Sequence, residues 1–482
     1  MGIMNANNDV GNANFFNQTD GKYYADSNYT IEANDNTDYL LDLFKAEVTV
    51  NLPAGNFLCK TKIVLNGKEL SVNGIVGETK IVFDSKTYTN YGTGAFAECL
   101  ITNKNHAGEY KPDSAQKISI SGIIFEYNRY VNSSPKTIML FRNIKGANIN
   151  NCSFIADLEN GIQVTNLDFY NACKNVTVSD CYFSNKTKAL DGGCIWVRNL
   201  TSQGVSVEGN TTENIIINSC EFVKNSKDEV IAVYSVIGDV KDVIIKNCDI
   251  KDYSTNQKIV ISIFSSEDNY YGTVDNVIIY NNSIYSQSFK AYVIMVGVEK
   301  NTKPTTNVKI TNNKIVVESE IIIRKSIIYN SSKNKDSNIL INNNEITATS
   351  SSYYSAIANA TYANGNKISG NIENAFIGGI VTNNVITGVV NGIVNPVVAI
   401  KNTISQVNCG IIVYNGDCFI NGNSVELDKD IGVCGIKISS QNSINCINNT
   451  IHIFTPNQDS IITKSANTIL SNNIVLGPDN IN

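Results

Sequence analysis

Histidine, tryptophan and charge are scarce in this chain of 482 residues, and each scarcity closes off a kind of chemistry. The two histidines, His106 and His452, stand far from any other metal ligand in sequence. Imidazole-centred mechanisms, such as a Ser-His-Asp triad or a histidine zinc site, therefore have little to draw on. No metal or other cofactor is expected, and no dense Asp-x-Asp-x-Asp-Gly calcium loop occurs. Charged residues make up only 17% of the chain, with 38 Lys+Arg against 44 Asp+Glu and a net charge of −6. No basic field exists to hold a nucleic-acid backbone. No apolar run approaches the length that spans a bilayer, and the start MGIMNANNDV lacks the basic-then-apolar pattern of a secretory signal. Strong helix formers are also under-used. Asparagine is roughly one residue in seven, accompanied by abundant Ile, Val, Ser and Thr, a composition of turns and strands. The chain is expected to be all-β.

A short pattern recurs from residue 120 to the C-terminus: an aliphatic residue, two further residues, Cys or Asn, any residue, and another apolar residue. It reads Ile149-Asn-Asn-Cys-Ser-Phe154, Val178-Ser-Asp-Cys-Tyr-Phe183, Ile310-Thr-Asn-Asn-Lys-Ile315 and Ile341-Asn-Asn-Asn-Glu-Ile346, among others. The fourth position is filled by Ile123, Cys152, Cys181, Cys220, Cys248, Asn282, Asn313, Asn344, Asn366, Asn384, Thr403, Asn423, Asn449 and Asn473, at intervals of 18 to 39 residues. A fixed motif at a variable interval means a constant turn with loops of different length hung on it, which is a β-solenoid. Stacked coils put like on like about 4.8 Å apart. In that slot asparagine supplies both a left-handed turn and a side-chain amide ladder. Cysteine there acts as a small apolar filler, so Cys152, Cys181, Cys220 and Cys248 are read as reduced core residues. The other eight of the twelve cysteines are left open.

Such a solenoid needs its ends protected. Residues 35–46, with an Asx/Thr start and leucines on one face, read as a short N-terminal capping helix. The order Asn34–Asp38, short helix, Leu52–Phe57 and then Thr79–Phe83 resembles the entry to pectate-lyase-like right-handed parallel β-helices, bacteriophage tailspikes in particular. The resemblance implies a right-handed single-stranded parallel β-helix over 31–482. Within it, 31–84 are cap and entry strands, 85–345 carry long rungs, and 346–482 carry short ones. Residues 1–30 are read as an arm for attachment. The resemblance further implies a homotrimer and a virion tail location outside the host cell, with a secreted or cell-surface bacterial protein as the alternative. It also implies contact with other tail components and with bacterial surface polysaccharide, but not with nucleic acid or a membrane interior.

The family hosts many chemistries, and its best-known motifs are missing. There is no Gly-His-Gly, and the four arginines, Arg129, Arg142, Arg198 and Arg324, fit neither an Arg-x-x-Pro-x-x-Arg nor an Arg-x-Lys pattern. What remains is a local cluster. Aligning strands by alternation sets Ile162, Ile195, Ile231 and Ile261 inward, so that Gln163, Trp196, Ala232 and Ser262 form an outward column flanked by Thr165, Arg198, Tyr234 and Phe264. An exposed indole suits stacking on a sugar ring, and a guanidinium suits an anionic saccharide group. The same residues equally suit packing under a loop or against a neighbouring subunit. Glu159, Asp191, Asp228 and Glu229 fall in the turns before these strands. Carboxylates on neighbouring rungs would be about 5 Å apart, or about 7–8 Å on a diagonal, which are glycosidase spacings, although acids also simply favour turns. Hydrolysis of a surface polysaccharide by paired carboxylates is the expectation. A lyase and a non-catalytic spike or adhesin are the alternatives.

Overall fold

The computed structural model describes residues 16–19, 22–25, 36–43, 49–65, 68–84, 99–103, 116–128, 137–156, 164–186, 192–200, 210–254, 259–265, 272–287, 292–297, 305–318, 323–331, 337–464 and 467–477. They fall into two compact units, residues 1–254 with 265–275, and residues 255–264 with 276–482, each built of the coils of a right-handed parallel β-helix. Among the described residues no helix is long and apolar enough to cross a membrane.

In the first unit each coil contributes three strands. One wall stacks Thr49–Asn51, Glu69–Asn73, Gln116–Ser121, Ile144–Asn150, Lys174–Ser179, Thr211–Asn218 and Asp239–Lys246, each parallel to the next. The second wall runs from Gly55–Cys59 to Asp249–Asp252, and the third from Ile63–Leu65 to Ile231–Ser235. Side chains alternate about the backbone, so every second residue enters the core and meets its counterpart one coil away. Phe125, Phe154, Phe183 and Phe222 stack in this way, with ring centroids 5.3, 5.0 and 4.9 Å apart.

The turn between the first two walls explains much of the asparagine. Two adjacent positions do different work. The third residue of the motif takes the left-handed conformation: Asn151, Asp180, Ser219, Asn247, Asn281, Asn312, Asn343, Gly365, Asn383, Lys401, Gly422, Asn448 and Asn472 all have φ between 49° and 67°. Asparagine and glycine tolerate this region best. The fourth residue turns into the core. In the first unit it is Ile123 and then Cys152, Cys181, Cys220 and Cys248, each cysteine donating its thiol to the carbonyl two residues earlier at 3.1–3.3 Å. In the second unit it is asparagine, and both the main-chain N–H and the Nδ2 of one rung donate to the Oδ1 of the next. The ladder runs unbroken through Asn282, Asn313, Asn344, Asn366, Asn384, Asn402, Asn423, Asn449 and Asn473 at 2.8–3.0 Å. Two expectations are corrected here. The left-handed residue is the one before the ladder residue. The member assigned to Thr403 is Asn402, because Val381 pairs with Ala399, one residue before the Ile400 that the pattern selected.

At the N-terminal end, the helix Thr37–Leu43 lies against the strand Gly55–Cys59. Asn36 donates its main-chain N–H to Leu58 O and accepts Leu58 N–H on Oδ1, both at 2.9 Å, and Thr37 Oγ1 accepts from Lys60 N at 2.8 Å. Leu40 is fully buried beneath it. Within the stretch read as an arm, Phe16–Thr19 and Lys22–Ala25 form an antiparallel hairpin whose second strand pairs in parallel with Thr49–Asn51.

Candidate functional site

The outward cluster forms on three neighbouring strands of the third wall of the first unit: Thr165–Tyr170, Ile195–Asn199 and Ile231–Ser235. Leu167, Ile195 and Ile231 pair in register and point inward, as do Phe169, Val197 and Val233, all fully buried. The residues between them face outward and make two columns, Asp168–Trp196–Ala232 and Tyr170–Arg198–Tyr234. Trp196, Arg198 and Tyr234 thus stand on the outer face as the alternation requires. The coil before them is shifted by five residues from the expected alignment: Leu167, not Ile162, opposes Ile195. Asp168 and Tyr170 therefore occupy the places assigned to Gln163 and Thr165, and Thr165 is buried.

Asp168 organises the cluster. Its carboxylate is fully buried and accepts from Arg198 Nε at 3.0 and 3.1 Å and from Arg198 Nη2 at 2.5 Å, while Arg198 Nη1 donates to Tyr234 Oη at 2.7 Å. Burial pushes the Asp168 carboxyl up, and the guanidinium pulls it back. Burial works against the charge on Arg198, but Asp168 and Tyr234 outweigh it and hold its pKa above the ordinary arginine value. The two-pronged contact favours the charged form of both partners. Burial also pushes the Tyr234 hydroxyl up to about 12, against the pull of Arg198. The guanidinium carbon lies 4.5 Å from the Trp196 ring centroid, 5.1 Å from Tyr170 and 5.9 Å from Tyr234. The edge expected to grip an anionic ligand faces Asp168 instead, so Arg198 fixes three aromatic rings around itself.

Burial changes sharply across this wall. On Cys99–Asn103 and Thr137–Phe141 the outward Leu100, Ile138 and Leu140 are buried as thoroughly as the inward residues. Tyr170, Trp196, Arg198 and Tyr234 are half-buried, so the cluster lies where that cover gives way. The indole edge rests over Gly193, where a Cβ would come within 2.4 Å of Trp196 Nε1 and 2.8 Å of Glu229 O. That indole N–H is buried and has no partner among the described residues.

Asp228 and Glu229 sit half-buried in the turn before Ile231. Behind them lies a group that the sequence reading missed. Lys224 is fully buried and donates to Ser226 O at 2.6 Å, with Asp252 in register on the next strand, also fully buried. Burial lowers the Lys224 amine, opposed first by Asp252 and then by Cys194, Glu229 and Asp228. The signal was a lysine at an inward position, two residues after Phe222. Glu159, Asp191 and Gln163 lie outside the described residues. Phe264 is half-buried on the strand Ile259–Ser265 and belongs to the second unit.

The coil order, the parallel register and the stacked turns decide the architecture. The fold is that of the pectate-lyase-like right-handed parallel β-helices. No family model and no curated protein matches the chain. Among solved structures it is similar to the tailspike protein of Escherichia coli bacteriophage HK620 in complex with pentasaccharide, at 13% identity and a TM-score of 0.49, over 91% of this chain and 77% of that one. It is also similar to PfbA, a surface adhesin of Streptococcus pneumoniae, at 13% identity and a TM-score of 0.44, over 88% and 90% of the two chains. A third such structure is the A-module of the Azotobacter vinelandii mannuronan C-5 epimerase AlgE6, at 12% identity and a TM-score of 0.38, over 92% and 96%. These β-helices differ in what they do, so the likeness is one of fold.

Proposed function

We propose that this β-helix is a receptor-binding spike that holds bacterial surface polysaccharide against the Trp196 cluster. The observation that carries the reading is the Asp168–Arg198–Tyr234 chain of hydrogen bonds, which fixes half-buried aromatic rings on the outer wall. Rings held in advance lose little freedom when a ligand stacks on them, and aromatic faces suit the C–H faces of sugars. Because the guanidinium is neutralised by Asp168, the cluster selects by shape and stacking more than by charge. In this reading the protein acts outside the host cell as a homotrimeric tail spike, joined to other tail components. Asp228 and Glu229, with Asp191 and Glu159, are the acids assigned to cleavage of the bound chain by glycoside hydrolysis.

A panel of purified capsular and O-antigen polysaccharides, run in native affinity gels containing each polymer, tests the binding. Wild-type protein is retarded by at least one polymer, and Trp196→Ala abolishes that retardation while leaving the thermal melt unchanged. Equal retardation of both proteins removes the site. Chromatographic sizing of the same polymers after incubation tests cleavage. Shortened chains with new reducing ends, lost in Asp228→Asn or Glu229→Gln, support hydrolysis. Products absorbing in the near ultraviolet indicate a lyase, and unchanged polymers indicate binding alone.

A further inference from the structure

In the second unit, Cys409 and Cys434 open two neighbouring parallel strands, Cys409–Val413 and Cys434–Ile438, and stand opposite each other in register. Their sulfurs are 3.2 Å apart, with the Cys434 thiol donating to Cys409 Sγ. Neighbouring parallel strands hold paired Cα atoms about 4.8 Å apart, inside the window of about 4.4–6.8 Å that a disulfide spans. All twelve cysteines are free thiols. We propose that Cys409 and Cys434 are a dithiol that low-molecular-weight disulfides oxidise to a covalent clip between two adjacent coils.

Access and reactivity together single out this pair; contacts with Cys181 and Cys248 also draw the Cys220 thiol down, but Cys220 is only 1% exposed. Cys152, Cys181, Cys220 and Cys248 also stack on neighbouring coils, but each is at most 2% exposed and donates its thiol to a main-chain carbonyl. Burial pushes the thiols of Cys418 and Cys446 up to about 12, which leaves little thiolate at neutral pH. Cys409 is half-buried. The hydrogen bond from Cys434 brings its thiol down to about 7, with Lys437 adding to the effect and burial opposing it. The same contact pushes Cys434 up, so one sulfur serves as nucleophile and its partner holds the proton. An accessible thiolate beside a resolving cysteine is the arrangement that redox-active pairs use.

The step balances without a further reagent. The Cys409 thiolate attacks one sulfur of glutathione disulfide, forming a mixed disulfide and releasing one glutathione thiolate, which takes up a proton. Cys434, its proton passing to solvent or to the leaving sulfur, then attacks Cys409 Sγ and releases the second glutathione. Two protein thiols have lost two electrons, and one disulfide has become two thiols. The new bond closes a loop across 25 residues of sequence and ties one coil to the next.

The test uses the full chain and oxidised glutathione as the probe. After incubation at neutral pH, free thiols are capped under denaturing conditions and the protein is digested without reduction. The expected map holds a cross-linked pair joining the Cys409 and Cys434 peptides, and two fewer alkylated cysteines per chain than in reduced protein. Cys434→Ser accumulates a glutathione adduct on Cys409, because the mixed disulfide has no second thiol to resolve it, and Cys409→Ser takes up none at Cys434. Twelve alkylated cysteines after treatment, or a cross-link through any other pair, overturns the proposal. The wild-type map needs no variant to fold.

Discussion

Asparagine at position 384 carries a load that can be worked out bond by bond. Its Oδ1 accepts from Asn366 N at 2.8 Å and Asn366 Nδ2 at 2.9 Å, and its Nδ2 donates to Asn402 Oδ1, Thr382 O and Ala363 O at 3.0, 2.9 and 3.1 Å. Alanine removes all five contacts, but most of the abandoned groups keep another partner. Asn366 Nδ2 retains Ile341 O at 2.8 Å, and Asn402 Oδ1 retains the main-chain N–H of residue 384. The main-chain N–H of Asn366, a residue with no exposed surface, is left without an acceptor. A stranded buried donor costs about 1–3 kcal/mol, and the small cavity adds to it, so Asn384→Ala should cost about 2–4 kcal/mol. Asn473 ends the ladder half-exposed, so truncating it lets water reach the Asn449 N–H that loses its acceptor, and Asn473→Ala should cost less than Asn384→Ala. Asn384→Cys imitates the first unit, fills the slot and should fall between the two. Guanidinium denaturation gives the ranking, and hydrogen exchange at the Asn366 amide gives its location. Equal costs at 384 and 473, or an Asn366 amide protected as in wild type, would refute the ladder as a source of stability.

Three further outcomes are expected, two at the site and one on the first wall. Arg198→Ala leaves the Asp168 carboxyl buried without its cation and should cost about 3–5 kcal/mol at neutral pH by chemical denaturation. In that variant burial raises the Asp168 carboxyl unopposed. The protonated form is then favoured in the folded state, and stability is regained on acidification and lost as pH rises through the folded-state value; a deficit independent of pH contradicts this. Gly193→Ala drives a methyl group against Trp196 Nε1 and Glu229 O, so emission from the single tryptophan should shift with little change in far-ultraviolet circular dichroism. Glu213, bound by Lys174 at 2.8 Å and Lys241 at 3.0 Å, has its carboxyl held below the usual range by those two lysines. Its contribution exists above the unfolded carboxyl value and fades as pH falls through the lower folded one. Because the pair is partly exposed, Glu213→Gln should cost under about 1 kcal/mol near pH 7 and nothing in strong acid.

The coils were legible because the same few side chains must recur wherever coils stack, and the Cys/Asn slot marks each turn. What was misread has definite causes. Runs such as Asn312-Asn313 put two asparagines side by side, so sequence alone does not separate the left-handed residue from the ladder residue. Ala399 fills a core position usually held by a larger aliphatic, which let Ile400 stand in for it and moved the ladder residue from Asn402 to Thr403. The five-residue slip arose because Ile162-Gln-Val164 alternates as convincingly as Leu167-Asp-Phe169, and rung lengths vary too much to choose between them. The match between Leu-Asp-Phe-Tyr and Ile-Trp-Val-Arg is present in the sequence, but it sets an aspartate in the middle of a strand. Only packing reveals it as the buried partner of Arg198. Lys224 was hidden for the same reason: a charge inside a coil is readable only once Asp252 is known to lie in register with it.

Trp196 is the only tryptophan in the chain, so its emission reports on the outer wall alone. Titrating the protein with a polysaccharide that retards it in affinity gels, while following that emission, probes the aromatic platform directly. Saturable change with the same midpoint as calorimetric binding is the predicted result. Calorimetric binding with unaltered tryptophan emission throughout the titration would contradict it, and the ligand would then belong elsewhere on the β-helix.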